Sequence, residues 1–240
     1  MNQSLIPEKY RVLSGSWLKV IAVVSMLIDH IGYCLLSQNP IPLFTAFGKT
    51  VSLYYLSRLI GRMAFPLFAF LLVEGFLHTH SRMRYAIGLG VFALLSELPH
   101  DLMMRGELFY WRSQNIFFTL LIGLLGVWLI ERIAEKPWLR LLGLIALYLA
   151  ALLSHCEYGV QGFCFILLLY ALRERPVLRA IIGMGFLTAV WKTAPAYISI
   201  ALYNGKRGFI RGKALKYAFY LFYPVHLLVL YWIRLKTFGY

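Results

Sequence analysis

Apolar residues fall into nine runs separated by short polar stretches: 18–36, 59–77, 85–104, 115–130, 139–156, 159–173, 177–191, 194–203 and 217–235. A helix needs about 20 apolar residues to cross a bilayer. The first, second, third and ninth runs reach that length. The seventh and eighth are short, and Pro195 lies just inside the eighth. They read as half-depth helices or as one broken helix. The pattern predicts an all-α, polytopic helical membrane protein with about nine spans, eight to ten at the limits. No linker or internal repeat divides it, so residues 1–240 are expected to form one transmembrane domain. The run after Trp17 has no small-residue cleavage site and contains Asp29, which marks a retained first helix and not a signal peptide.

Composition sharpens this picture. Of the residues, 60% are hydrophobic and only 14% charged, against roughly 25% charged in soluble domains. So few charges cannot cover a water-exposed globule, which excludes soluble enzymes and DNA-binding domains. The net charge of +14 is read as a topology signal, with the lipid bilayer as partner and no nucleic acid. With a cytoplasmic N-terminus, 15 Lys and Arg fall on inner segments and seven on outer ones. Merging the seventh and eighth runs would put the basic 204–216 loop outside, so they are kept apart. Three cysteines with no C-x-x-C spacing support neither disulfides nor zinc.

The scarce acids lie where they are costly. Asp29, Glu74 and Glu97 interrupt apolar runs, and an ionisable group at membrane depth is by default a functional candidate. Asp29 lies about 16 Å above Leu18 at 1.5 Å per residue, on one face with Ala22, Ser25, Gly32 and Tyr33. On the predicted topology Arg62, Glu97, His100, Asn115, His155, Glu157, Tyr158, Gln161 and His226 reach the same outer depth. An Asp–His neighbourhood in a dry bundle is an acid–base device, and a nearby Arg or Asn can stabilise an oxyanion. The bland alternatives are a helix-holding Asp29–Arg62 ion pair, packing histidines at 30 and 226, and Glu74 pairing with His78 one turn on. Gly123/Gly126 and Gly159/Gly162 would then serve close helix packing. There is no G-x-S-x-G, H-E-x-x-H or P-loop. A metal on His30, Glu97 and His226 has no ligand-spacing motif behind it.

The segments DHIGY, GRMAFPLFAFLLVEGF, FALLSELPHDL, NIFFTLLIGLL, EYGVQG, YNGKRG and KYAFYLFYPVHLLVL occur in this order between about residues 17 and 233. The chain so resembles the TraX family of membrane proteins, whose namesake N-acetylates processed pilin. Phe65–Gly75 is also similar to the FP-x-F-x-F stretch of membrane acetyltransferases such as heparan-α-glucosaminide acetyltransferase. The resemblance implies an acetyltransferase of the bacterial cytoplasmic membrane. It would move acetyl from cytoplasmic acetyl-CoA to an amine or hydroxyl at or beyond the outer face, on a peptide N-terminus or a cell-surface glycan.

On this resemblance His30 is the general base or acetyl carrier, and Asp29 orients it or pairs with Arg62. Arg62 and Asn115 contact the carbonyl. Glu97, Glu157, Tyr158, Gln161, Tyr223 and His226 line the acceptor side. Asn204, Lys206, Arg207 and Arg211 hold CoA, and no metal is expected. The chain departs from the family pattern at Glu157, where Asp is expected, and at His100, where an aromatic is frequent. Homo-oligomerisation stays open. The rival functions are a proton-coupled transporter or flippase of a polar lipid or peptide, and a non-enzymatic assembly factor.

Overall fold

In the computed structural model, which describes residues 6–46, 48–187 and 190–239, polar caps and prolines set where the helices begin. The Ser14 hydroxyl caps α1 (Gly15–Ile31), Ser52 caps α2 (Leu53–Gly61) and Ser81 caps α4 (Arg82–Arg105). The Asn115 side chain caps α5 (Ile116–Arg132). Each oxygen accepts one of the N–H groups that a first turn leaves unpaired. Prolines open α6 (Pro137–Leu153) and α8 (Pro176–Phe186), where a missing N–H costs nothing. The remaining helices are α3 (Ala64–His78), α7 (Gly159–Ala171), α9 (Val190–Ala201) and α10 (Gly212–Phe238).

Among the described residues these helices make nine rods, because α2 and α3 run on as one with a break at Arg62–Met63. Four rods are long and apolar enough to cross a membrane: Gly15–Leu36, Leu53–His78, Arg82–Arg105 and Ala214–Phe238. The second begins six residues before the expected run, which draws Arg58 into a span. A further difference is an antiparallel hairpin of β1 (Pro42–Ala46) and β2 (Lys49–Ser52) between α1 and α2. Its β-branched Thr45, Thr50 and Val51 suit strands, and Gly48 supplies the positive φ of its turn.

The rods alternate between two ends. At the basic end the N-terminal segment meets the 202–210 stretch: Leu13 N–H donates to Leu202 O and Gly15 N–H to Lys206 O, at 2.9 and 2.8 Å. At the far end Gln114 N–H donates to His155 O, and Glu157 N–H to Gln114 O. The Gln161 amide donates to Phe186 O and Leu187 O, so α8 climbs to the far end of α7. Helix α9 then returns to the basic end. The two short runs are separate helices, as their charge implied; positions 188 and 189 of the 177–191 run lie outside the described residues.

The core lies between α3, α5 and α7, around Leu67, Phe70, Phe165, Ile166 and Leu169. Glycine makes the α5–α7 contact close: a Cβ at Gly123 would overlap Ile166, and one at Gly126 would press on Phe163 at 2.8 Å. Small residues are what let helices pack where water supplies no drive between them. The α6 surface shows the complementary trait, with Leu141, Leu142, Leu149 and Leu153 exposed.

Candidate functional site

A π-helical turn, Gly32–Leu36, follows α1 directly after Asp29 and His30. Such turns re-aim side chains and are frequent at functional sites. His30 and His226 of α10 are buried, with rings stacked at 5.0 Å and His30 Nδ1 2.7 Å from His226 Nε2. His226 Nδ1 lies 2.7 Å from Phe222 O. A carbonyl only accepts, so His226 Nδ1 carries hydrogen. In neutral His226, Nε2 must then accept, and His30 Nδ1 must donate to it. Neutral His30 is left with a bare Nε2. The chain carbonyl–His226–His30 thus fixes the tautomer of a buried base by hydrogen-bond logic alone. His226 stands where the sequence reading placed Asp29.

Asp29 points elsewhere. Its carboxylate meets Arg58, not the expected Arg62, at 2.6 Å. Arg58 lies one turn before Arg62 and is near enough to claim the carboxylate once α2 starts at Leu53. Gly61 makes the room: a Cβ there would overlap the Asp29 carboxyl. These residues, with Arg62, Glu157 and Tyr158, surround a polar pocket of about 240 Å³ at the far end. Burial, and then the Asp29 charge, push the Glu157 carboxyl up to about 7 against the pull of Arg58 and Arg62. Tyr158 stacks on Phe65 at 3.9 Å with φ +62°, and the Glu157 carbonyl accepts from Thr119. This ties the α6–α7 turn to α5.

A larger cavity of about 580 Å³ approaches from the basic end. Lys19, Arg207 and Lys216 line it among residues of that end, and Met26, Ile116, Phe117 and Tyr223 line its head. The Tyr223 hydroxyl is buried, and among the described residues its hydrogen meets no acceptor. Its ring stands 6.2 Å from His30 and 5.7 Å from His226. His30 itself lines neither cavity; it is next in sequence to Asp29 of the polar pocket and a ring's distance from Tyr223 of the large cavity.

The structure brings together Asp29, Arg62, Glu157 and Tyr158, and separately His30, Tyr223 and His226. Other expected site residues serve different ends. Asn115 Nδ2 donates to Ala93 O at 2.7 Å and to Glu97 Oε2, while its Oδ1 accepts from Phe117 N–H. Both amide hydrogens are spent, so Asn115 is a helix cap and interhelical clamp, not a carbonyl contact. Glu97 is the other half of that clamp and lines neither cavity. Gln161 is held by the end of α8. Of the expected CoA contacts only Arg207 lines the cavity. Asn204 Oδ1 accepts from Lys206 N–H, and Arg211 Nε donates to Gly208 O. Glu74 engages His78 through its carbonyl and not through its carboxylate.

Lys19, Arg58 and Lys216 escaped the sequence reading. Arg58 had a visible signal, the R-x-x-x-R spacing that sets it on one helix face with Arg62. Lys19 and Lys216 become neighbours of one cavity only when α1 and α10 pack.

Comparison with known proteins gives two matches and one absence. A family model described as TraX protein matches residues 14–234. The probable fimbrial assembly protein FimC, serogroup H1, of Dichelobacter nodosus is 30% identical over 245 aligned positions, covering 90% of this chain and 94% of that one. No solved structure matches.

Proposed function

The chain belongs to the TraX family, and we propose that it is a membrane-embedded acetyltransferase that carries acetyl from acetyl-CoA on one side of the membrane to an acceptor on the other. One observation carries this reading: a buried histidine of fixed tautomer, next in sequence to Asp29 of the polar pocket at the far end and with its ring 6.2 Å from Tyr223 at the head of the cavity from the basic end. The cavity suits an acyl-pantetheine arm. Lys19, Arg207 and Lys216 offer charge to the phosphates of CoA. At the head, Ile116 opens α5 beside the Tyr223 hydroxyl, whose hydrogen has no acceptor among the described residues. That O–H is a donor suited to a thioester carbonyl as it becomes an oxyanion.

The acceptor is an amine or hydroxyl, on a peptide N-terminus or a surface glycan, presented from the polar pocket. His30 Nε2 takes its proton as the acceptor attacks the carbonyl carbon. The thioester C–S bond then breaks, and His30 returns the proton to the CoA thiolate. His226 holds His30 in the productive tautomer and shares its positive charge. The cytoplasmic membrane of a bacterium, with the basic end inward, is the expected setting.

The test is transfer of labelled acetyl from acetyl-CoA into membranes of the native host, with wild type and His30→Ala reconstituted side by side. Transfer by wild type, reduced about 1,000-fold or more in a folded His30→Ala protein, supports the reading. Transfer at the wild-type rate by that variant sinks it. The name of the Dichelobacter relative favours a second reading, an assembly factor that acts without catalysis. That protein would show no thermal stabilisation by acetyl-CoA, whereas the enzyme is stabilised by mass action.

A further inference from the structure

We propose that Glu97, His100 and Asp101 bind one divalent first-row metal ion, of the Zn²⁺ or Mn²⁺ kind, at the far end of α4. Their spacing of i, i+3 and i+4 sets them on one helix face. One ligand atom from each lies within 4.8 Å of the other two. Bonds of about 2.0–2.2 Å place ligand atoms up to about 4.4 Å apart around one ion, so small side-chain rotations close the set.

The carboxylates are held as ligands are held. Glu97 is fixed through Oε2 by the Asn115 main-chain and side-chain N–H groups, and its buried Oε1 has no partner among the described residues. Asp101 is fixed through Oδ2 by Tyr110 N–H at 2.8 Å. Among the described residues its Oδ1 meets only His100 Nδ1, at 3.4 Å, well beyond the roughly 2.7–2.9 Å of a charge-assisted bond. Ligating carboxylates are characteristically anchored by such outer hydrogen bonds.

Charge balance points the same way. His100 and Asp101 are 2% and 0% exposed. Among the described residues no Lys or Arg forms a salt bridge with Glu97 or Asp101. Arg105, one turn on, lies over the Tyr110 ring, and Arg234 donates to Met103 O and Leu102 O. Asp101 is fully buried and Glu97 partly so, and two adjacent carboxylates placed like this are costly without a cation between them. One imidazole with two carboxylates and no thiolate selects zinc or manganese over calcium, magnesium or copper(I). Three protein ligands leave a position open for water. Through Tyr110 and Asn115 the ion would brace the 106–115 loop and the α5 cap against α4.

The measurement is metal content of the full chain in detergent, by elemental analysis after chelation and reloading with Zn²⁺ or Mn²⁺ alone, with the melting temperature recorded alongside. One equivalent of metal and a raised melting temperature are expected. Affinity should fall about 100-fold or more in the shape-keeping His100→Phe and in Asp101→Asn. Two variants are used so that a failure of one to fold leaves the other as the test. Absence of bound metal in wild type overturns the proposal and leaves a shared proton as the balance. Metal retained by either folded variant also overturns it, because the ion then sits elsewhere.

Discussion

The large cavity and the polar pocket differ in size and in how their walls are made. The larger, about 580 Å³, reaches the head of the site between apolar rings and carries its cations toward the basic end. The smaller, about 240 Å³, is walled almost wholly by charged or hydroxyl side chains. An apolar sleeve with a charged entrance suits a ligand with a phosphate head and a slender arm. A compact pocket with two guanidiniums and two carboxylates suits a small polar group that must be oriented. The lesson is that Asp29 and His30, adjacent in sequence, belong to different walls. Asp29 serves the polar pocket through Arg58, while His30 takes its orientation from α10.

That division is broken most severely by removing the orienting residue. His226→Ala should lower kcat for acetyl transfer by about 100- to 10,000-fold and displace the lower limb of the pH–rate profile, with the fold retained. Asp29→Asn should do far less to that profile. If the two variants behave alike, the separation of walls is wrong. The next effect belongs to stability. Gly61→Ala would force the Asp29 carboxyl off Arg58 and cost about 1–3 kcal/mol, read as a lower melting temperature. Arg58→Ala in the same background should add little, because the pair is already lost. Smaller still, Lys216→Glu should raise the KM for acetyl-CoA about 10-fold, roughly 1.4 kcal/mol, with kcat nearly kept. Lys206→Glu, outside the cavity lining, should change KM much less.

The nine rods, their alternation and the separateness of α8 and α9 were legible because hydrophobic runs and loop charge act along the chain. The pooling of Asp29, Arg62, Glu157 and Tyr158 was legible as shared depth. What depth leaves undetermined is rotation about each helix axis. Arg58 and Arg62 occur at nearly one level, and only packing against Gly61 decides which meets Asp29. Asn115 looked like a free amide because its capping bonds depend on where α5 begins. His226 and Lys216 are far from His30 and Lys19 in sequence, and α1–α10 packing alone joins each pair. The hairpin was hidden because its apolar Leu43 and Phe44 stay exposed, leaving no buried face to mark it.

The finest test of the contrast concerns protons. Glu157 lies at the polar pocket, and burial raises its carboxyl from 4.5 to about 7, with Asp29 adding to the rise and Arg58 and Arg62 opposing it. A raised carboxyl means that the folded chain holds this proton more tightly than the unfolded chain does. The stability gained is complete below about 4.5 and is lost as pH rises through about 7. Between pH 5 and 8 the wild-type melting curve should therefore lose on the order of 1 kcal/mol from this group. Glu157→Gln keeps the shape and removes the charge, so its melting temperature should be flatter over the same interval and higher than wild type near pH 8. His30 and His226 are the same in both proteins and should cancel in the difference between the two curves. An unchanged slope in Glu157→Gln would mean that water and the two arginines already balance the carboxylate, and that the polar pocket is wetter than its walls imply.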